Sequence, residues 1–411
     1  MFTSACHLPY DVLVEIFSWV AHTTSARMCE EELVVWPITS TCPSLPAFAL
    51  VCTAWTTPAQ ALLFRAVELD TMERCEQFLA LAAARPDLVK EVRAVSIGRL
   101  EPQDTGGDVE EEKRRAALTT QMLRAASLCR NTKNLQVKPM YFPLALQTFD
   151  LVKSLPQLNT IILKIFDVHV DISPPLCVEF YHALWDMLSK PTLRHFEHNF
   201  KPPYPPQARE IAPRIRFVAS ITAVHITVNV PPALFETLRA VKDSLTSLSI
   251  YTEEAFDPMP AASAFGTLQQ LEQFRFESNV LPSNPAYEMG NFWLGDEVIP
   301  TYSKLERLSL TEQVLLPQNF TRLPPRLAAL EYVVFSATPG DSLRQLKNLA
   351  RASQAPCVGR KLIFVADEAA FADTVDPHDV EETKEAFRAK GGSFVVAHEM
   401  NGVLTRRMVE F

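Results

Sequence analysis

Leu268-Gln269-Gln270-Leu271-Glu272-Gln273-Phe274-Arg275-Phe276 follows the spacing Φxx-Φxx-Φ-x-Φ, where Φ is apolar, and this stretch decides the fold class. Side chains alternate along an extended chain, so the closing Φ-x-Φ reads as a short strand with both apolar groups on one side. The two earlier apolar positions pack the turn that leads into it. The spacing returns at Val89, Val92, Val95, Ile97; at Leu155, Leu158, Ile161, Leu163; and at Val218, Ile221, Val224, Ile226. It returns again at Tyr302, Leu305, Leu308, Leu310 and at Leu327, Leu330, Val333, Phe335, with partial copies ending at Val137, at Phe196-Glu197-His198 and at Ile250.

Between copies lie stretches with apolar residues three and four apart: 111–129, Leu176–Leu188, Pro232–Val241 and Asp341–Ala352. Strand and helix therefore alternate. The expected class is α/β, an irregular leucine-rich-repeat-like solenoid over residues 70–411 behind a short helical module at 1–69. Copies lie roughly 24 to 40 residues apart, longer than regular leucine-rich repeats, which calls for inserted loops. No copy carries the Asn that tightens regular leucine-rich turns, so the likeness is one of pattern. The competing reading is an ordinary α/β domain whose strands share a spacing. Residues 99–112 read as an acidic surface loop, and about 357–411 as a cap on the last repeat, with strands at Lys361–Val365 and Phe394–Val396 around an acidic helix at Asp379–Lys390.

Composition bounds the function. The 411 residues carry 47% hydrophobic and 21% charged side chains, the profile of a folded chain. Thirty-one Pro against 11 Gly fits many short, blunt-ended elements and few phosphate-cradling loops. A net charge of -9 argues against nucleic acid and anionic membrane as partners. The one basic triplet, Lys113-Arg114-Arg115, follows Glu110-Glu111-Glu112 and reads as a solvated helix start. Eight Cys without a C-x-x-C pair indicate reduced thiols. Met1–His7 lacks a charged segment followed by an apolar run, and there is no 18-residue apolar stretch, so a cytoplasmic or nuclear location is expected.

The N-terminus opens with Leu8-Pro9-Tyr10-Asp11-Val12-Leu13-Val14-Glu15-Ile16-Phe17-Ser18-Trp19-Val20, whose apolar residues 8, 12, 13, 16, 17 and 20 form one broad helical stripe. Residues 21–45 lose periodicity around Trp36 and read as an inserted loop. A short apolar helix is expected at Pro46–Trp55, then another with Thr57 as cap and Pro58 as first residue, before Val67 and Leu69 begin a strand. Leu8-Pro9, Val12-Leu13 with Ile16-Phe17, Leu50-Val51-Cys52 with Trp55, and Leu63-Phe64-Arg65 with Val67 and Leu69 together resemble the F-box family over residues 6–69.

That resemblance implies docking onto a Skp-family adaptor and, through it, a cullin of an SCF-type ubiquitin ligase. Leu8, Pro9, Val12, Leu13, Ile16, Phe17, Leu50, Val51 and Trp55 are the expected adaptor-binding residues. By the same resemblance the repeat body is the receptor for a target protein. The residue inside each Φ-x-Φ faces outward, giving a column of Ser96, Gln136, Ile162, Glu197, His225, Ser249, Arg275, Ser309 and Val334.

Catalytic signatures are wanting. There is no G-x-S-x-G elbow, no phosphate loop and no dinucleotide fingerprint. His195-Phe196-Glu197-His198 lies on an expected strand, where residues three apart point to opposite faces, so it is not read as a metal site. Glu253-Glu254 with Asp257 reads as a polar loop, and Cys52 as a buried structural thiol. No cofactor, metal or catalytic residue is expected. The alternative within the binding class is a repeat scaffold that recruits no ligase.

Overall fold

The computed structural model describes residues 8–25, 47, 49–98, 109–138, 142–163, 174–198, 221–228, 231–252, 256–278, 291, 293–311, 314, 320, 322–324, 326–334, 339–352, 361–400 and 403–409. Two units are formed, Met1–Pro202 and Pro203–Phe411. In the first, helices α1 (Tyr10–Ser25) and α2 (Thr53–Leu63) lead into strand β1 (Ala66–Leu69). Then come α3 (Met72–Ala84), α4 (Pro86–Val89), β2 (Ala94–Ile97), α5 (Val109–Ser127), β3 (Asn134–Val137), α6 (Phe142–Ser154), β4 (Thr160–Leu163), α7 (Pro174–Leu188) and β5 (His195–His198). Strands β1 to β5 pair in chain order, all parallel.

The second unit runs β6 (Ala223–Val228), α8 (Pro231–Val241), β7 (Ser247–Thr252), α9 (Pro258–Phe265), β8 (Gln273–Ser278), a π turn and a 3-10 turn over Leu294–Thr301, β9 (Arg307–Thr311) and β10 (Ala329–Val334). It continues through α10 (Pro339–Ala352), β11 (Lys361–Asp367), α11 (Glu368–Thr374), α12 (Pro377–Ala389), β12 (Ser393–Met400) and β13 (Val403–Val409). Strands β6 to β12 pair parallel in chain order, and β13 closes the run antiparallel to β12.

The repeat is written in the backbone. Just ahead of β2, β4, β5, β8, β9 and β10 a turn is held by an N–H donated to the carbonyl three residues earlier: Val92 to Val89, Leu158 to Leu155, Leu193 to Lys190, Leu271 to Leu268, Leu305 to Tyr302 and Leu327 to Pro324. Ahead of eight strands one carbonyl then accepts two successive N–H groups from the next copy. Arg65 O accepts from Arg93 and Ala94 (2.8 and 2.9 Å), Arg93 O from Lys133 and Asn134, Lys133 O from Asn159 and Thr160, and Asn159 O from Arg194 and His195. In the second unit Thr222, Thr246, Glu272 and Glu306 do the same for the copies that follow each. Each copy thus satisfies its entry turn on its neighbour, which is what a stacked repeat requires. The partial copy ending at Val137 has the same turn: Thr132 N donates to Cys129 O ahead of β3, as in the apolar copies.

Apolar Φ positions fill the space between strands and helices. In the second unit this core is aromatic: Phe265 on α9 packs against Phe235, Phe274, Phe276 and Trp293 with ring centroids 5.8 to 6.4 Å apart, mostly edge to face. Buried Tyr302 donates its hydroxyl to Phe265 O at 3.0 Å. Beside this core Asn291, fully buried, accepts from Phe256 N through Oδ1 and donates through Nδ2 to Ser278.

Three expectations are corrected. Thr57 caps no helix: α2 starts at Thr53 behind Cys52, and Pro58 lies inside it, because Trp55 and Thr56 N–H groups bond to Cys52 O and set the first turn five residues earlier. The copy placed at Leu327, Leu330, Val333, Phe335 is threaded differently. Leu330 and Tyr332 pair with Leu308 and Leu310, so Tyr332 takes the core position and Glu331, not Val334, is the residue between. Val334 is buried on the core face, while Val333 clusters on the opposite face with Val365 and Ala397. Finally, Val109–Glu112 is the first turn of α5 instead of loop. Residues 99–108, Val218, Glu253-Glu254, Phe335 and most of the 21–45 insertion lie outside the described residues, whereas Ala21–Ser25 belong to α1.

Candidate functional site

Two surfaces gather the expected residues. The first is made by α1 and α2. Leu13 and Phe17, four apart on one side of α1, are buried against Ala59 and Leu62, with Val14, Ala49, Trp55 and Leu63 completing a small core. Phe17 meets Trp55 edge to face at 5.1 Å. The adjoining flank of α1 has no such cover: Val12 is 41% and Ile16 43% exposed, Leu8 ahead of the helix is exposed too, and Leu50 and Val51, ahead of α2, are 86% and 56% exposed. Pro9 is exposed, and its carbonyl accepts Leu13 N at 3.1 Å, which starts the helix. Leu13, Phe17 and Trp55 are therefore interior groups of the module. Leu8, Pro9, Val12, Ile16, Leu50 and Val51 are the ones a partner can touch. At the start of α1, burial and the Glu91 carboxylate push the Tyr10 phenol up while Arg65 works against them, which places this end of the helix beside the first repeat.

The second surface is the outer face of the strands, turned away from the helices. Register aligns Glu68, Ser96, Gln136, Ile162 and Glu197 in one row of the first unit. It aligns His225, Ser249, Arg275, Ser309, Glu331, Ile363 and Val395 in one row of the second. The expected column is thus one row in each unit, with Glu331 in place of Val334 and with Glu68, Ile363 and Val395 added. Ile363 and Val395 escape the pattern because Gly359 and Gly391 stand where an apolar residue would lead into their strands, and Glu68 because its strand was assigned to the N-terminal module. Outward direction does not mean exposure, however. Ser96, Ile162, Ser249 and Ser309 are buried, each between longer side chains on strands about 4.8 Å away.

Both rows carry charge pairs. Arg275 Nη2 lies 2.6 Å from Glu277 Oε1 on the same strand, and Nε donates to that oxygen at 2.7 Å. In the first unit Lys138 Nζ and Arg74 both bind Glu68, and Arg74 also binds Asp70 at 2.9 Å. Burial works to raise Glu68, but the two cations outweigh it and hold the carboxyl below its ordinary range.

The groups weighed for chemistry separate. His195 shares the outer face with Glu197, while His198 is on the core side with its ring 5.0 Å from Phe196. Among the described residues no three His, Cys, Asp or Glu side chains converge as metal ligands. Asp257 caps α9, accepting Met259 N at 3.2 Å. Cys52 is half-buried at the start of α2, and Lys113, Arg114 and Arg115 lie in the first turns of α5. No helix among the described residues is long and apolar enough to cross a membrane.

No family model matches the chain, and no curated protein matches it. Among solved structures, the crystal structure of a TLR13–ssRNA13 complex is similar at 11% identity with a TM-score of 0.33. The match covers 77% of this chain and 38% of that one, so this chain corresponds to well under half of that protein's length. The strand–helix repeat stands on the register and hydrogen bonds described above.

Proposed function

We propose that this chain is a non-catalytic recognition subunit of an SCF-type ubiquitin ligase, with the α1–α2 module docking a Skp-family adaptor linked to a cullin and the repeat body holding a target protein. One observation carries the reading. Leu8, Val12, Ile16, Leu50 and Val51 are exposed together on a module whose own core is already filled by Leu13, Phe17, Ala59 and Leu62. Large apolar side chains left exposed after the core is complete are the usual mark of a partner surface. The F-box resemblance of the same residues supplies the partner's identity. A body of stacked parallel strands suits protein–protein interaction, since neighbouring copies present aligned rows of side chains.

Co-purification with a Skp-family adaptor tests this. Wild type is expected to capture the adaptor, and Val12→Asp with Ile16→Asp to lose it while keeping its circular dichroism and thermal midpoint, because both side chains are exposed. A Phe17 substitution is unsuitable, since that ring is module core. Absence of capture by wild type at micromolar concentration leaves the alternative, a repeat scaffold without ligase recruitment.

A further inference from the structure

We infer that the target is held through an acidic segment seated on the outer strand face of the second unit, at a notch floored by Ala329 between Arg307 and Lys361. This rests on the receptor role proposed above and names its chemistry. Arg307, Ala329 and Lys361 are in register on β9, β10 and β11, so the two long cationic side chains rise from the strands on either side of a methyl group. Core-facing Leu308, Leu330 and Leu362 alternate with them, which fixes all three on the outer face. Arg307 and Lys361 are exposed, and among the described residues neither forms an ion pair.

The charges on the strands around the notch sharpen the fit. Arg275 is matched by Glu277 and adds no free charge. Glu331 lies two residues beyond Ala329 on β10 and stands against a second anion in the next row. Beside Glu331 in that row are Ile363 and Val395, both half-buried and apolar. A carboxylate over Ala329 reaches both cations with charge-assisted hydrogen bonds, and an aliphatic side chain one row on meets Ile363. Glu306, one residue before Arg307, is exposed and belongs to the turn ahead of β9, its carbonyl taken by the N–H groups of Ala328 and Ala329. In a chain of net charge -9, two unpaired cations flanking a gap select acid over base.

Fluorescence anisotropy on the full chain with a labelled Glu-Glu-Val-Val-Glu-Glu-Val-Val peptide, against Ser-Ser-Val-Val and Lys-Lys-Val-Val repeats, tests the notch. The acidic peptide is expected to bind about tenfold or more tightly than the serine peptide, and Arg307→Glu with Lys361→Glu to erase that advantage. Glu331→Gln is expected to strengthen acidic binding. Equal binding of acidic and serine peptides, preference for the lysine peptide, or indifference to the double reversal overturns the inference. Adaptor capture, measured on the same proteins, is expected to be unchanged by the reversal. Loss of capture by wild type sinks the ligase reading without touching the peptide result.

Discussion

His195 brings an imidazole into the outer face of β5, where it is 9% exposed and its Nε2 makes no hydrogen bond among the described residues. Burial pushes its pKa down to about 4 from 6.5. The unfolded chain then binds the proton first, so the stability this residue allows is full above about pH 6.5 and drains away as pH falls toward 4. The loss amounts to about 3 kcal/mol at most. His195→Gln, which does not titrate, is expected to narrow the gap between urea midpoints at neutral and acidic pH; parallel behaviour of the two proteins refutes this. Burial likewise raises the Cys129 thiol to about 12 and the Cys75 thiol to about 11, which keeps both protonated and unreactive. Alkylation mapped by mass spectrometry on folded protein is expected to label Cys52 and spare these two. In the aromatic core, Phe265→Ala removes the ring shared by Phe235, Phe274, Phe276 and Trp293, and a cost of about 3–5 kcal/mol in urea denaturation is expected.

At the scale of elements, α10 and α12 meet through a ladder of charge. Lys347 binds Asp379 and Glu382, Arg344 approaches Asp379 at 3.7 Å, and Arg351 binds Glu382 at 3.0 Å. Hydrogen bonds from Lys347 are the main cause holding both carboxyls below their ordinary range. Their contribution is present above the usual carboxylate pKa and is lost as pH falls through the lowered folded values. Lys347→Glu places a third acid against that pair. It is expected to lower the thermal midpoint, with the deficit larger at about 0.01 M than at about 1 M salt because these half-buried groups still meet solvent and are screened. A salt-independent deficit assigns the ladder to packing instead. The helices themselves were legible from the three-and-four spacing in 111–129, Leu176–Leu188, Pro232–Val241 and Asp341–Ala352. The start of α2 was not, since Thr57-Pro58 imitates a capped entry while backbone bonds to Cys52 O decide the true one.

For the molecule as a whole, stacking means that each copy answers chiefly to its neighbours. Phe276→Ala, which leaves a gap next to Phe256, Phe265 and Phe274, is expected to speed amide exchange in β7, β8 and β9 while β1 to β5 keep their protection. Uniform loss of protection across both units contradicts nearest-neighbour stability. The sequence alone determined the α/β repeat, because the Φxx-Φxx-Φ-x-Φ spacing is a local property: it sets which side chains leave a strand on the same side and which turn leads into it. It also placed Arg275 and Ser309 in one row, as register confirms. Only the tertiary structure decided what that row exposes and which side of α1 is free. Ser96, Ser249 and Ser309 are covered by neighbours on adjacent strands, and Leu13 and Phe17 by Ala59 and Leu62, dozens of residues away in the chain. Burial is set by whatever packs against a residue, and the stripe on α1 was wide enough to offer either side until α2 took one.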